Sequence, residues 1–138
     1  MFLAAAVCIL FINASETLAQ SEPGHVYTVR THKVHPGKTA EYNKVYGDVV
    51  RPVLDKLKAD GDIVSYRDME KIFGSQYPTH VLVIEYENMA ALDVGPKLEA
   101  AAQALFGKSF GEALGDLTLL REYTGTSVYG STQPTADN

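Results

Sequence analysis

Arg30, His32, Arg67 and His80 are the side chains in this sequence whose types and spacing could do chemistry together. Arg30 and His32 stand two apart in an alternating, β-rich stretch, residues 25–34, so they point to one side of a strand with Val26, Thr28 and Val34. Ser65, Arg67, Met69 and Lys71 of a second stretch, and His80, Leu82, Ile84 and Tyr86 of a third, can share that side. A guanidinium presents a rigid fork to a planar anion. A histidine near its ordinary pKa can move a proton at neutral pH. Together the four would make a partly cationic patch in an otherwise apolar sheet, suited to a small carboxylate or phenolate. The competing arrangement sets them at strand ends, paired across strands with Asp68, Glu70, Glu85 and Glu122. Tyr46, on the apolar side of a helix, can line a pocket with His32 or His80, or pack in the core with its hydroxyl satisfied. These five residues are the ligand-pocket candidates, and none is assigned a catalytic role.

Other motifs carry less. His32-Lys33-Val34-His35 spans a strand end and a turn, where residues three apart face opposite ways, and no further ligand is spaced to complete a metal site. Neither a metal nor a cofactor is expected. Gly107-Lys108-Ser109 resembles a fragment of a phosphate loop, but Ala102 stands where the leading glycine is needed, so it reads as a helix-connecting turn. No nucleophile elbow or dinucleotide-binding glycine pattern occurs.

The elements that must position these residues follow from periodicity and punctuation. After the first strand, His35-Pro36-Gly37-Lys38 makes a turn, and Thr39 is expected to cap a helix reaching Ala59. Tyr42, Val45, Tyr46, Val49, Val53, Leu54 and Leu57 give that helix one buried face, and Pro52 predicts a kink. Gly61 suits a left-handed cap. Residues 63–73 and 79–87 read as two more strands. The third is apolar on both faces from Val81 to Ile84, which requires cover on both sides, and a second subunit is the simplest second layer. Asn88 can cap a further helix, expected to break at Gly95-Pro96, and residues 110–114 can add a turn. A last strand begins near Leu120. The order strand, helix, strand, strand, helix, strand is the split βαββαβ arrangement of an α+β, ferredoxin-like domain: one antiparallel sheet with helices on one face.

With those elements in place the chain resembles the dimeric α/β-barrel superfamily. The resemblance is carried by residues 27–38, a strand running into Pro36-Gly37-Lys38, by the helix start Glu41-Tyr42, and by residues 83–92, a strand leading into a helix through Asn88. It implies that two subunits pair sheet to sheet with the helices outside. The superfamily includes cofactor-independent monooxygenases of antibiotic biosynthesis, haem-degrading monooxygenases, EthD-like and NIPSNAP-like proteins, so fold does not give function. Oxygenases of this fold commonly rely on a Trp, and this chain has none; their residue roles are not carried over. The readings that follow are a homodimeric ligand-binding or structural domain, a cofactor-independent monooxygenase or isomerase of a small aromatic or polyketide-like molecule, and, third, a haem binder with a histidine ligand.

Length and composition bound the rest. The 138 residues suit one domain, placed at residues 25–130, and the net charge of −5 without a dense Lys/Arg cluster argues against nucleic acid and anionic membranes as partners. Residues 2–12 form an apolar run too short to span a bilayer, followed by a polar stretch and by Thr17-Leu18-Ala19 with small residues at the cleavage positions. Residues 1–19 are therefore expected to be a signal peptide, making the protein exported with no membrane span after cleavage. Cys8, the sole cysteine, lies within it, which would leave the mature chain without thiol chemistry. Residues 20–24 read as a polar arm and 131–138 as a flexible tail.

Overall fold

The computed structural model describes residues 24–74 and 78–130. The expected signal peptide with Cys8, nearly all of the polar arm, and the tail lie outside the described residues. Strand β1 (Val26–Val34) leads through the Pro36-Gly37 turn into α1 (Thr39–Val45), a wide π-helical turn (Tyr46–Val50) and α2 (Arg51–Ala59). Strands β2 (Ser65–Glu70) and β3 (His80–Tyr86) follow. A 3-10 turn (Met89–Leu92), α3 (Gly95–Phe106), α4 (Phe110–Leu114), another 3-10 turn (Leu117–Leu119) and β4 (Arg121–Gly130) complete the described fold. The sheet order is β2-β3-β1-β4 with antiparallel neighbours throughout, so this is a ferredoxin-like α+β fold.

Alternation decides which face is covered. On β3, His80, Leu82, Ile84 and Tyr86 are buried while Val81, Val83 and Glu85 are half-buried. The helices therefore cover one face only; the two middle valines lie on the open face. Under the helices, Val53, Leu54 and Leu57 of α2, Ile63, the β3 residues Leu82, Ile84 and Tyr86, and Val94, Ala101 and Ala102 form the apolar core. A separate small cluster, Val34, Tyr42 and Tyr46, sits under α1 and the π turn.

Several local expectations change. Pro52 falls in the first turn of α2, and the wide π turn stands just before it. A proline ring crowds the carbonyl four residues back and supplies no N–H, and re-pairing to the fifth residue accommodates both. Thr39 is the first helical residue and caps nothing; Lys38 precedes it without a side-chain cap and instead pairs with Glu41 at 2.7 Å. The second strand stops at Glu70, leaving Ile72 and Phe73 almost wholly exposed. Gly95 and Pro96 do not break a helix but start α3, where a missing N–H costs nothing. Gly107 ends α3 in the left-handed conformation at φ 69°, and Ser109 with Glu112 makes a capping box for α4. The Gly107-Lys108-Ser109 stretch is thus a helix-connecting turn.

Candidate functional site

The functional candidates gather where α1 and the π turn cross the sheet. β1 turns Thr28, Arg30 and His32 toward the helices, and β3 turns His80 the same way, opposite His32 in the register. Tyr42 and Tyr46, one helical turn apart, come down from above at 3% and 4% exposure. Tyr42 meets the His80 ring edge-on at 4.7 Å. Arg51 lies over the Tyr46 ring at 5.8 Å, and Arg121 over the Tyr42 ring at 5.6 Å.

Arg67 does not join them. β2 pairs Arg67 with Val83 and Asp68 with Leu82, so Tyr66, Asp68 and Glu70 face the helices and Arg67 faces the open side. There it lines a shallow cavity of about 390 Å³ with Tyr27, Ser65, Tyr66, Met69, Val83 and Glu85. The expected face of β2 was one residue out of phase, which inverts every side chain on the strand. Glu85, on the open side, accepts hydrogen bonds from Ser65 Oγ at 2.6 Å and Tyr27 OH at 3.0 Å, with His25 Nδ1 at 2.8 Å; these partners hold its carboxyl below the ordinary range despite burial.

Arg121 takes the place left by Arg67, through a β-bulge. The β1–β4 register shifts between Thr31 and His32: Thr31 pairs with Gly125 and His32 with Tyr123, so Thr124 is the extra residue. Thr124 Oγ1 donates to Thr31 Oγ1 at 2.8 Å, and Gly125 takes φ 158°. Below the bulge the odd-numbered Arg121 and Tyr123 face the helices; in an unbroken register Glu122 would. Tyr123 then lies 5.9 Å from the His32 ring.

Two cavities flank this cluster. One, of about 60 Å³, is lined by Arg30, His32, Tyr42, Tyr46, Val50, Leu82, Phe110, Leu114 and Arg121, without an acidic residue. The other, wider and more open, is lined by Asn43, Tyr46, Arg51, Asp68, Glu70 and His80. Tyr46 is the residue common to both.

The electrostatics follow burial. His32 is pushed down to about 4, first by desolvation and then by Arg121, Arg30 and His80. His80 is also lowered: burial outweighs the upward pull of Glu70 and Asp68. Its Nε2 stands 4.0 Å from Glu70 Oε2, too far for a hydrogen bond, and the downward direction is the one the burial supports. Thr79 positions the pair: its Oγ1 accepts from Val34 N–H at 2.8 Å and lies 3.1 Å from His80 Nδ1. The same hydroxyl donates to the His32 carbonyl oxygen at 3.2 Å, which leaves its oxygen to accept from His80 Nδ1. Desolvation also raises Asp68, Tyr42 and Tyr46. Five buried polar atoms, Thr28 Oγ1, His32 Nδ1, Tyr46 OH, Asp68 Oδ1 and His80 Nε2, have no hydrogen-bond partner among the described residues. Native cores rarely leave such groups unpaired.

The structure thus brings Arg30, His32, Tyr46 and His80 together and excludes Arg67. Reading by alternation missed Arg121, whose face depends on the bulge, and treated Asp68 only as a cross-strand partner. Alternation groups Asp68 with Tyr66 and Glu70, but only the pairing with β3 turns that set toward the helices. Among the described residues no group of three or more His, Cys, Asp or Glu is arranged to hold a metal ion.

Neither protein-family models nor curated proteins match the chain. Solved structures do. A dimeric ferredoxin-like protein from an uncultured marine organism aligns with TM-score 0.56 at 15% identity, over 83% of this chain and 100% of the other. HapK from Hahella chejuensis aligns with TM-score 0.53 at 11% identity, over 82% and 98%. A dimeric protein of unknown function and ferredoxin-like fold from Bacteroides fragilis aligns with TM-score 0.52 at 15% identity, over 78% and 97%. At these identities the likeness establishes the ferredoxin-like fold.

Proposed function

We propose that this protein is an exported homodimeric domain that binds a small molecule between its helices and its sheet. The observation that carries the reading is the convergence of His32 Nδ1, Tyr46 OH, Asp68 Oδ1 and His80 Nε2, buried without partners in one region. Each unpaired buried polar group costs about 1–3 kcal/mol, and a ligand that satisfies them recovers that cost. Assembly is supported by the open sheet face, where Val29, Val81 and Val83 are only half-buried and Met69 is exposed. Two of the similar structures are described as dimeric. Export rests on the apolar run and small-residue pattern of residues 2–19.

Native mass spectrometry of residues 20–138, as purified, tests this reading. The expected spectrum is a dimer carrying a reproducible added mass that His32→Leu with Tyr46→Phe removes. A monomer overturns the assembly. A clean dimer whose melting temperature also ignores a panel of small acids, amides and phenols overturns the ligand site.

A second reading, a cofactor-independent monooxygenase or isomerase, is favoured by one arrangement. A histidine held neutral beside two guanidiniums can take a proton from a substrate while the positive charge stabilises the oxyanion that forms. Turnover of phenolic or polyketide-like substrates that His32→Gln abolishes, with the fold intact, is the expected result. Unaltered turnover in that variant overturns the role of His32.

A further inference from the structure

We propose that the smaller cavity is a carboxylate site: Arg30 and Arg121 hold a small monocarboxylate whose short apolar body lies against Leu82, Phe110 and Leu114. This rests on the reading that a ligand enters between the layers, and it names the ligand's class.

Charge balance is the first ground. The cavity wall carries two guanidiniums, an imidazole and two phenols, and no carboxylate. Among the described residues neither arginine has an ion-pair partner, whereas Lys38, Lys44, Lys56 and Lys97 pair with Glu41, Asp48, Asp60 and Asp62. The acids on this face of the sheet, Asp68 and Glu70, line the neighbouring cavity with Arg51 and His80. Both guanidiniums are half-buried at a partly apolar space, where charge is costly unless a counter-charge meets it, and the Tyr42 ring beside Arg121 is no counter-charge.

The second ground is a built donor. His32 is 96% buried by its 4% exposure, it lines this cavity, and its Nδ1 has no partner. A carboxylate gives it one and pulls its pKa back up. Tyr46 OH, also partnerless, lines the same wall.

Size and polarity narrow the ligand. About 60 Å³ holds roughly four water-sized groups at about 15 Å³ each. A neighbouring apolar pocket of about 30 Å³ is lined in part by the same residues, Arg30, Val50, Leu82 and Phe110. A planar head with a short hydrocarbon body fits; a polycyclic acid does not. Phosphate would leave the apolar end unused.

Butyrate and its neutral isostere butyramide are the probes, added to the homodimer of residues 20–138. Thermal shift gives affinity, and histidine-ring NMR reports the place. Butyrate is expected to raise the melting temperature and move the His32 resonances, with butyramide weaker by roughly tenfold or more, as is usual for a charge-assisted pair. Arg30→Gln and Arg121→Gln should each weaken butyrate by roughly tenfold to a hundredfold. Arg121→Lys, which keeps charge but loses the fork, should fall between and serves if Arg121→Gln does not fold. Arg67→Gln, on the open face, should bind as the parent does. Equal binding of butyramide with His32 shifts overturns the carboxylate class and leaves the interlayer site standing. Butyrate binding that ignores Arg30 and Arg121, or no response to butyrate, overturns the proposal; binding that also leaves His32 unmoved counts against the interlayer site itself.

Discussion

Leu57 and His80 are equally hidden, at 1% and 2% exposure, and both lie in the single layer between helices and sheet. Leu57 sits among Val53, Leu54, Ile63, Ile84 and Ala102, with no polar atom to satisfy. His80 sits under Tyr42 with Nε2 unpartnered and acids nearby. One end of the layer is packed for stability; the other holds polar groups that folding alone does not reward. Such a departure from the rules of a good core, beside a well-made one, is the physical mark of a site.

The largest expected effect lies at the dry end. Leu57→Ala should destabilise by about 2–5 kcal/mol, through lost burial and the cavity left behind. Denaturant unfolding measures it. His80→Phe, at the polar end and equally buried, should cost far less or even stabilise; a loss as large as that of Leu57→Ala would make His80 part of the packing core and end the contrast.

Acid should separate the two ends next. His32 is depressed to about 4 from an ordinary 6.5, so the unfolded chain binds its proton first as pH falls. Stability attributable to His32 is therefore unchanged above 6.5, declines between 6.5 and 4, and levels off below, by about 3 kcal/mol in all. Asp68 is raised, so between its ordinary and its folded value it acts in the opposite sense, gaining stability as pH falls. Comparing His32→Gln with the parent across pH 4–7 isolates the histidine: the variant should show the shallower decline. Parallel curves would mean His32 titrates normally.

Smaller effects sharpen the picture. Ser109→Ala removes the capping box of α4, which carries Phe110 and Leu114 to the cavity wall, and should cost about 1 kcal/mol in thermal unfolding. Tyr46→Phe removes a buried hydroxyl that has no partner and should raise stability by about 1 kcal/mol in the ligand-free protein. A clear loss would show that the hydroxyl is already satisfied in the free protein.

Local pattern carried much of this fold. The unbroken apolar run Val81–Ile84, the i, i+4 placement of Tyr42 and Tyr46, and the glycine at the end of α3 are short-range signals, and each element they imply is present. The βαββαβ order follows from them, and with it the ferredoxin-like sheet. Arg30, His32, Tyr46 and His80 reach one site because each lies within an element whose phase its neighbours declare.

The other members were beyond such reading, for one reason in two forms. Face in a strand has a period of two, so a slip or insertion of one residue exchanges the whole set. On β2 the pairing with β3 sends Asp68 inward and Arg67 outward. On β4 the single extra residue Thr124 sends Arg121 inward in place of Glu122, exchanging a negative charge for a positive one at the cavity wall. Composition and periodicity determined that there would be a sheet, a helical layer and polar residues between them. Strand register, set by pairing between residues far apart in the chain, decided the sign of the charge that the space between them presents.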